Sequence, residues 1–302
     1  MGAPYAPTLL EDSFTTTYLL PVGLTVIMLI LGLSLTTADF RRVLTTPRGV
    51  GVGLVNLMLV APLLAFALAE AFSLPAELAV GLVLLGASPG GIMANTLTHL
   101  SGGETALSVT MTAVSSAASA LTVPLYLALA TAHFDAVHLG AVDMGAVVPK
   151  VLGITVVPLA IGMAIRHRNP DPVAAADRTL RRVVLAVFAV IVAGAIISEH
   201  DTVIDNIAAV GAACLALNLL AMGISFGASQ LARLSSRQTT AISLELGIHN
   251  SALAITVGAA IDPELVVPAA VYSTFMVLTG SAFARMMLLR NRALDPAESL
   301  AG

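Results

Sequence analysis

Charge is what this sequence has least of. Asp, Glu, Lys and Arg make up 11% of its 302 residues, while 57% are hydrophobic and the mean hydropathy is +0.94. A soluble domain carries roughly 25% charged residues, and no soluble fold of this length can hide so much apolar surface. Tryptophan is absent, so the aromatic belt that often marks a membrane interface is thin. The single cysteine, Cys214, excludes an internal disulfide, and a lone cysteine is no metal site. The net charge is only -4 and no basic stripe is interleaved with aromatics, which excludes a nucleic-acid role. Nucleophile elbow, phosphate-binding loop and paired carboxylates at membrane depth are all missing, so neither an enzyme nor an ATP-driven pump is expected. His99, His133, His138, His167 and His200 fall at span ends or in loops, without metal-ligand spacing. No cofactor and no obligate protein partner are expected.

What is there is a series of apolar runs. About nine of them approach the ~20 residues needed to cross a bilayer, at approximately 17–36, 49–72, 77–99, 105–131, 144–165, 183–199, 203–228, 239–260 and 265–288. The fold class is therefore an all-α polytopic membrane protein in contact with lipid over most of its surface. With the N-terminus outside, the inner loops hold every Lys and Arg of the 14 except Lys150, and the outer loops hold acidic residues such as Glu77, Asp135, Asp201 and Asp262. This positive-inside partition predicts a cell-membrane protein with an outside N-terminus and a cytoplasmic C-terminus. The first residues carry Glu11 and Asp12 but no Lys or Arg, unlike a cleavable signal peptide. The longest loop, about 166–182, contains Asn169-Pro170-Asp171-Pro172 and divides one transmembrane domain, 1–302, into halves of about 17–165 and 183–290.

Two runs are interrupted. Ser88-Pro89-Gly90-Gly91 sits in the middle of the third, where Pro and Gly should unwind a helix. Glu245-Leu246-Gly247-Ile248-His249-Asn250 sits in the middle of the eighth. Unwound backbone at membrane depth is tolerated only where it lines a cavity or is buried in protein, and paired broken helices in an inverted repeat mark secondary transporters. Glu245 alone of the 18 acidic residues falls well inside a span, where a charge costs about 2.5–3.5 kcal/mol on insertion scales. No Lys or Arg lies at its depth, so a bound cation is its natural partner; the plain alternative is a protonated structural carboxyl. Asn95, Ser108 and Thr112 offer hard oxygens, the last two on one helix face. They could equally bond their own helix backbone. His249 is four residues after Glu245, close enough to pair with it and carry a proton, or else is a neutral donor to a carbonyl.

At these residues the sequence resembles the bile acid:sodium symporter family. The matching stretches are Gly86-Ala87-Ser88-Pro89-Gly90-Gly91 with Asn95, Gly103-Glu104-Thr105-Ala106-Leu107-Ser108 with Met111-Thr112, and Glu245 to Asn250; Leu31-Gly32-Leu33-Ser34-Leu35 leading to Asp39-Phe40 also fits. The resemblance implies a core domain with two crossing broken helices and a panel made of segments one, five and six. It implies alternating-access symport of a small organic anion, bile-acid or carboxylate-like, with sodium as the coupling ion. The family's first sodium site carries over at Asn95, Ser108, Thr112 and Glu245, with Ala94 in place of a further serine ligand. The second site would use Glu245 and backbone oxygens near Leu246 and Ile248, but its two glutamines fall at Leu57 and His249. That implies an altered second site, in which His249 supplies a proton or a fixed donor. Asn250 matches a substrate-contacting asparagine, and Gly90, Gly91 and Ser273 are expected beside it. No arginine is expected at mid-depth, so an anion would rest on the N-termini of the broken helices. The competing readings are a proton-coupled carrier or exporter of a small metabolite, and an uncoupled binding or channel-like membrane protein.

Overall fold

The computed structural model describes residues 18–136 and 144–294. The signal-peptide reading of the first residues and the placement of His138 lie outside them. The described residues are helical and contain no strand, only one isolated antiparallel bridge between Gly90 and His249. In chain order the helices are α1 (Leu20–Ser34), α2 (Thr37–Thr45), α3 (Pro47–Ala71), α4 (Ala76–Gly86), α5 (Ile92–Leu100), α6 (Thr105–His133), α7 (Met144–Ile154), α8 (Val156–Arg168), α9 (Pro170–Ser198), α10 (His200–Leu231), α11 (Ser236–Gly247), α12 (Ser251–Ala259) and α13 (Val267–Leu294).

Six spans among these are long and apolar enough to cross a membrane, α7 and α8 counting together, and α1 with α2 makes a seventh if the bent pair is one span. Counting the interrupted pairs α4/α5 and α11/α12 as crossings as well would bring the total to the expected nine. Apolar side chains stay exposed along the long helices, as at Leu121, Leu125 and Leu129 on one stripe of α6. That surface suits lipid and would be untenable in water.

Local chemistry explains the irregularities. The 65° bend between α1 and α2 is fixed by Asp39, whose carboxylate accepts from Thr36 N–H and Thr36 Oγ1, both at 2.7 Å. Within α3 a π-helical turn spans Asn56–Val60 just before Pro62. Pro62 has no N–H to give to Met58, and the Tyr126 hydroxyl donates to that carbonyl instead at 2.8 Å. α7 and α8 part at Thr155, three residues before Pro158, whose missing N–H leaves the Ile154 carbonyl without its helical donor.

The expected loop at 166–182 is not a loop. α9 begins at Pro170 and runs unbroken to Ser198. Proline at the first helical position costs nothing, because the first amides have no intrahelical acceptor, and Asp171 in the first turn complements the helix dipole. The charged stretch is thereby a helical extension of the sixth segment.

α1 lies along α8 and α9, and α9 also touches α12 and α13. α6 packs against α2, α4, α5 and α11, while α11 packs against α5 and α12 against α4. α1 and α8 approach closely because both present glycine: a Cβ on Gly32 would strike the Leu159 carbonyl, and one on Gly162 would strike Leu29 O. Backbone cannot move aside as a side-chain tip can. Gly162→Val is therefore expected to destabilise the protein by about 1–3 kcal/mol, the usual cost of overpacking, read as a lowered midpoint of thermal unfolding in detergent. Gly153→Val, where a Cβ meets nothing within 4 Å, should leave the midpoint unchanged.

Candidate functional site

The two interruptions meet. α4 stops at Gly86 and α5 resumes at Ile92; α11 stops at Gly247 and α12 resumes at Ser251. Each extended stretch supplies the other with hydrogen-bonding partners. Gly90 bridges His249, the Asn250 N–H donates to Pro89 O at 2.8 Å, and His249 Nδ1 lies 3.1 Å from Ser88 O. The Ser88 carbonyl can only accept, so Nδ1 carries the hydrogen. Backbone groups freed by the breaks are thus satisfied within the protein, as a low-dielectric setting demands. Asn218 and Tyr272 finish the task at the end of α11: Asn218 Nδ2 donates to Gly247 O at 2.7 Å and the Tyr272 hydroxyl donates to it at 2.9 Å.

Beneath this crossing lies Glu245, with no exposed surface. Gly90 lets it sit there, since a Cβ at that position would overlap the carboxylate. α6 passes alongside and turns Ser108 and Thr112 toward it, one helical turn apart and both fully buried. Ser108 Oγ is 2.7 Å from Glu245 Oε2 and 2.7 Å from Asn95 Oδ1. Thr112 Oγ1 contacts Glu245 Oε1 and lies 3.2 Å from Asn95 Oδ1 and 3.1 Å from Ser108 O. Asn95, from α5, closes the group.

Each hydroxyl has one hydrogen to give. Two hydrogens thus serve five oxygen–oxygen contacts, and with Glu245 ionised the remaining contacts set acceptor against acceptor. A hard monovalent cation among these oxygens removes the conflict, because carboxylate, amide and hydroxyl oxygens are its natural ligands. The chemistry of the donor set therefore fits sodium. Leu57, Leu107, Met111 and Leu246 belong to one buried apolar cluster, two of them next in sequence to Ser108 and Glu245.

The other expected residues divide. Ala94 is buried and adds no side-chain oxygen, and Leu57 belongs wholly to the apolar cluster. His249 does not hydrogen-bond Glu245: α11 ends at Gly247, so the four-residue spacing no longer aligns the two, and the imidazole turns to Ser88. Its Nε2 is buried without a hydrogen-bonding partner. Gly91, His249 and Asn250 line a cavity of about 330 Å³ beyond the crossing, toward α1, α9 and α13. Asn250 also caps α12, its Oδ1 accepting the Leu253 N–H at 3.1 Å. Ser273 stays out of that cavity; its hydroxyl donates to Ala269 O in its own helix at 2.7 Å.

One arginine does reach the cavity, although none was expected at mid-depth. Arg181 lines the same cavity as Gly91 and Asn250. A loop over 166–182 would hold Arg181 away from the cavity, whereas the helix that begins at Pro170 carries it there. The Asp177/Arg181 spacing of four, and apolar Val173, Leu180, Val184 and Ile191 at helical intervals, were the signal that α9 begins earlier.

Interrupted helices that cross around a buried oxygen cluster, in an otherwise lipid-facing helical protein, define a membrane transport protein. A sequence model of the Sodium Bile acid symporter family matches residues 21–206. The chain is 28% identical over 264 residues to the uncharacterized sodium-dependent transporter YocS of Bacillus subtilis (strain 168), covering 87% of this chain and 81% of that one. It is 30% identical over 295 residues to a protein of Oryza sativa subsp. japonica named probable sodium/metabolite cotransporter BASS2, chloroplastic, covering 96% of this chain and 68% of the other. A shorter match, 32% over 162 residues, covers 52% of this chain and 41% of the sodium-dependent organic anion transporter of Mus musculus. The chain belongs to the sodium bile acid symporter family. It is a multi-pass, sodium-coupled transporter and not an enzyme.

Replacing Gly90 by alanine puts a methyl group where the Glu245 carboxylate lies. Gly90→Ala is expected to weaken sodium binding at least tenfold, about 1.4 kcal/mol, measured as the sodium concentration that half-maximally protects the protein from thermal unfolding. Gly51→Ala, a substitution into open space, serves as the control and should match wild type.

Proposed function

We propose that this transporter carries a small organic anion together with one sodium ion, by alternating access, across the cell membrane. The observation that carries the reading is the buried oxygen cluster of Asn95, Ser108, Thr112 and Glu245, in which acceptors outnumber hydrogens. Sodium is bound there as cargo, and the carboxylate cancels its charge. One ion rather than two is supported by the surroundings of the second family site. Leu57, at the place of one of that site's side-chain oxygens, has no oxygen to offer.

The substrate occupies the 330 Å³ cavity, against Gly91, Asn250 and the N-termini of α5 and α12. The positive ends of both helix dipoles face that region. The names of the rice and mouse relatives, a sodium/metabolite cotransporter and a sodium-dependent organic anion transporter, support this substrate class. In the proposed cycle α1, α7, α8 and α9 form the panel and the remaining helices the core. Close packing of α1 along α8 and α9 supports their moving together. The basic inner loops orient the N-terminus outside and the C-terminus in the cytoplasm.

Two experiments test the reading. In a thermal-shift screen of organic acids with and without sodium, sodium at a hundred times its Kd is expected to stabilise wild type by about 2.7 kcal/mol and Glu245→Gln not at all. Equal stabilisation of both proteins removes the site from Glu245. In proteoliposomes, uptake of a monovalent anion with one sodium ion moves no net charge, so a membrane potential should leave it unchanged. A second ion would add about 2.3 kcal/mol of drive per 100 mV, and an uptake-linked current would sink the one-ion stoichiometry.

A further inference from the structure

Two cavities flank α9, and Arg181 lines both. The larger, about 330 Å³, holds Gly91, His249 and Asn250; the smaller, about 250 Å³, holds Asn95, His99, Arg166 and Asp177. Ile92 is the other residue common to the two, so the guanidinium stands at the partition between them. Among the described residues it is the only Asp, Glu, Lys or Arg side chain in the lining of the larger cavity, whose walls are otherwise mainly apolar, as at Ile27, Leu31, Phe188 and Met276.

The guanidinium is held by two bonds. Nε donates to Asp177 Oδ2 at 2.9 Å, one turn back on α9, and Nη1 donates to Thr96 Oγ1 at 2.9 Å, across on α5. A guanidinium has five N–H donors in a planar fork, so these bonds use two of them. Asp177 fixes the fork's direction. Thr96 is a neutral hydroxyl, a weaker acceptor for a cation than a carboxylate. It also directly follows Asn95 of the oxygen cluster, so the bond ties α9 to the helix that carries part of that cluster.

Resting on the symporter reading above, we infer that Arg181 is the residue that recognises the acid group of the substrate. A carboxylate entering the larger cavity takes over the donor now given to Thr96 and gains a second N–H, a bidentate pair that a neutral analogue cannot form. The apolar body of the anion then rests on the walls around Phe188 and Met276. Because the exchange breaks the α9–α5 bond, acid binding also releases one tie across the partition.

The test uses the full-length protein in detergent at saturating sodium, with a library of monocarboxylates bearing apolar bodies, each paired with its primary amide. Wild type is expected to bind acids in preference to their amides. Arg181→Gln should lose at least tenfold in acid affinity with amide binding and sodium stabilisation unchanged. Thr96→Val, which removes the competing acceptor, should bind the acids as tightly as wild type or tighter. If Arg181→Gln does not purify folded, Arg181→Lys, which keeps the charge without the fork, is expected to weaken the acids at least threefold. Acids that bind an arginine variant as tightly as wild type overturn the assignment. So does a wild type that sodium stabilises but no acid binds. A wild type that sodium does not stabilise instead overturns the symporter reading.

Discussion

Everything in this structure is arranged around one buried carboxylate. A charge at membrane depth is tolerated only with compensation, and Glu245 receives it from three directions. α6 supplies the hydroxyls of Ser108 and Thr112, α5 brings Asn95 Oδ1 to those hydroxyls, and Gly90 supplies space by having no side chain. Each contributor depends on a further feature. Gly90 is available because α4 has ended, α5 can begin there because α11 has ended too, and the loose backbone ends bond one another. Removing the carboxylate would leave the breaks without a purpose and the hydroxyls without a centre.

Much of this was legible in the chain. Pro89 with two following glycines announces an unwound segment, and the polar run from Glu245 to Asn250 announces another. Ser108 and Thr112 share a face by helical spacing alone, and the structure joins all four proposed cation ligands. The long α-helices follow from apolar runs that water would not permit. What was not legible has physical causes. A helix break changes side-chain direction, so the apparent pairing of Glu245 with His249 dissolved once α11 ended at Gly247. Asn169-Pro170-Asp171-Pro172 looks like a loop because proline and aspartate break helices from within, yet they are well suited to a first turn. That one reversal moved Arg181 from an inner loop onto a cavity wall. Ser273 was expected in the cavity on its residue type, but nothing in one sequence says which way a hydroxyl on α13 turns. Asn218 and Tyr272, which close the end of α11, come from helices remote in sequence and carry no local signal.

The chemistry divides cleanly in space. The proposed oxygen ligands lie beside the apolar cluster that holds Leu57, Met111 and Leu246, with Asn95 also reaching the smaller cavity. The room for a larger solute lies on the other side, against α1, α9 and α13. Between them run the extended backbone of the two breaks and the first turns of α5. In the proposed cycle, ion and substrate would meet across main chain and not through direct contact, so one could influence the other by shifting where that backbone sits.

The crossing is fastened largely by main-chain bonds, the Gly90–His249 bridge and the Asn250 N–H to the Pro89 carbonyl. Peptide groups are the same whatever side chain they bear. On the proposed reading, a lineage could therefore rewrite the cavity wall at positions such as Phe188 or Met276, and so exchange one solute for another, without disturbing the scaffold around the proposed ion site. A transporter built on that plan would keep its energy source fixed and leave its cargo free to evolve.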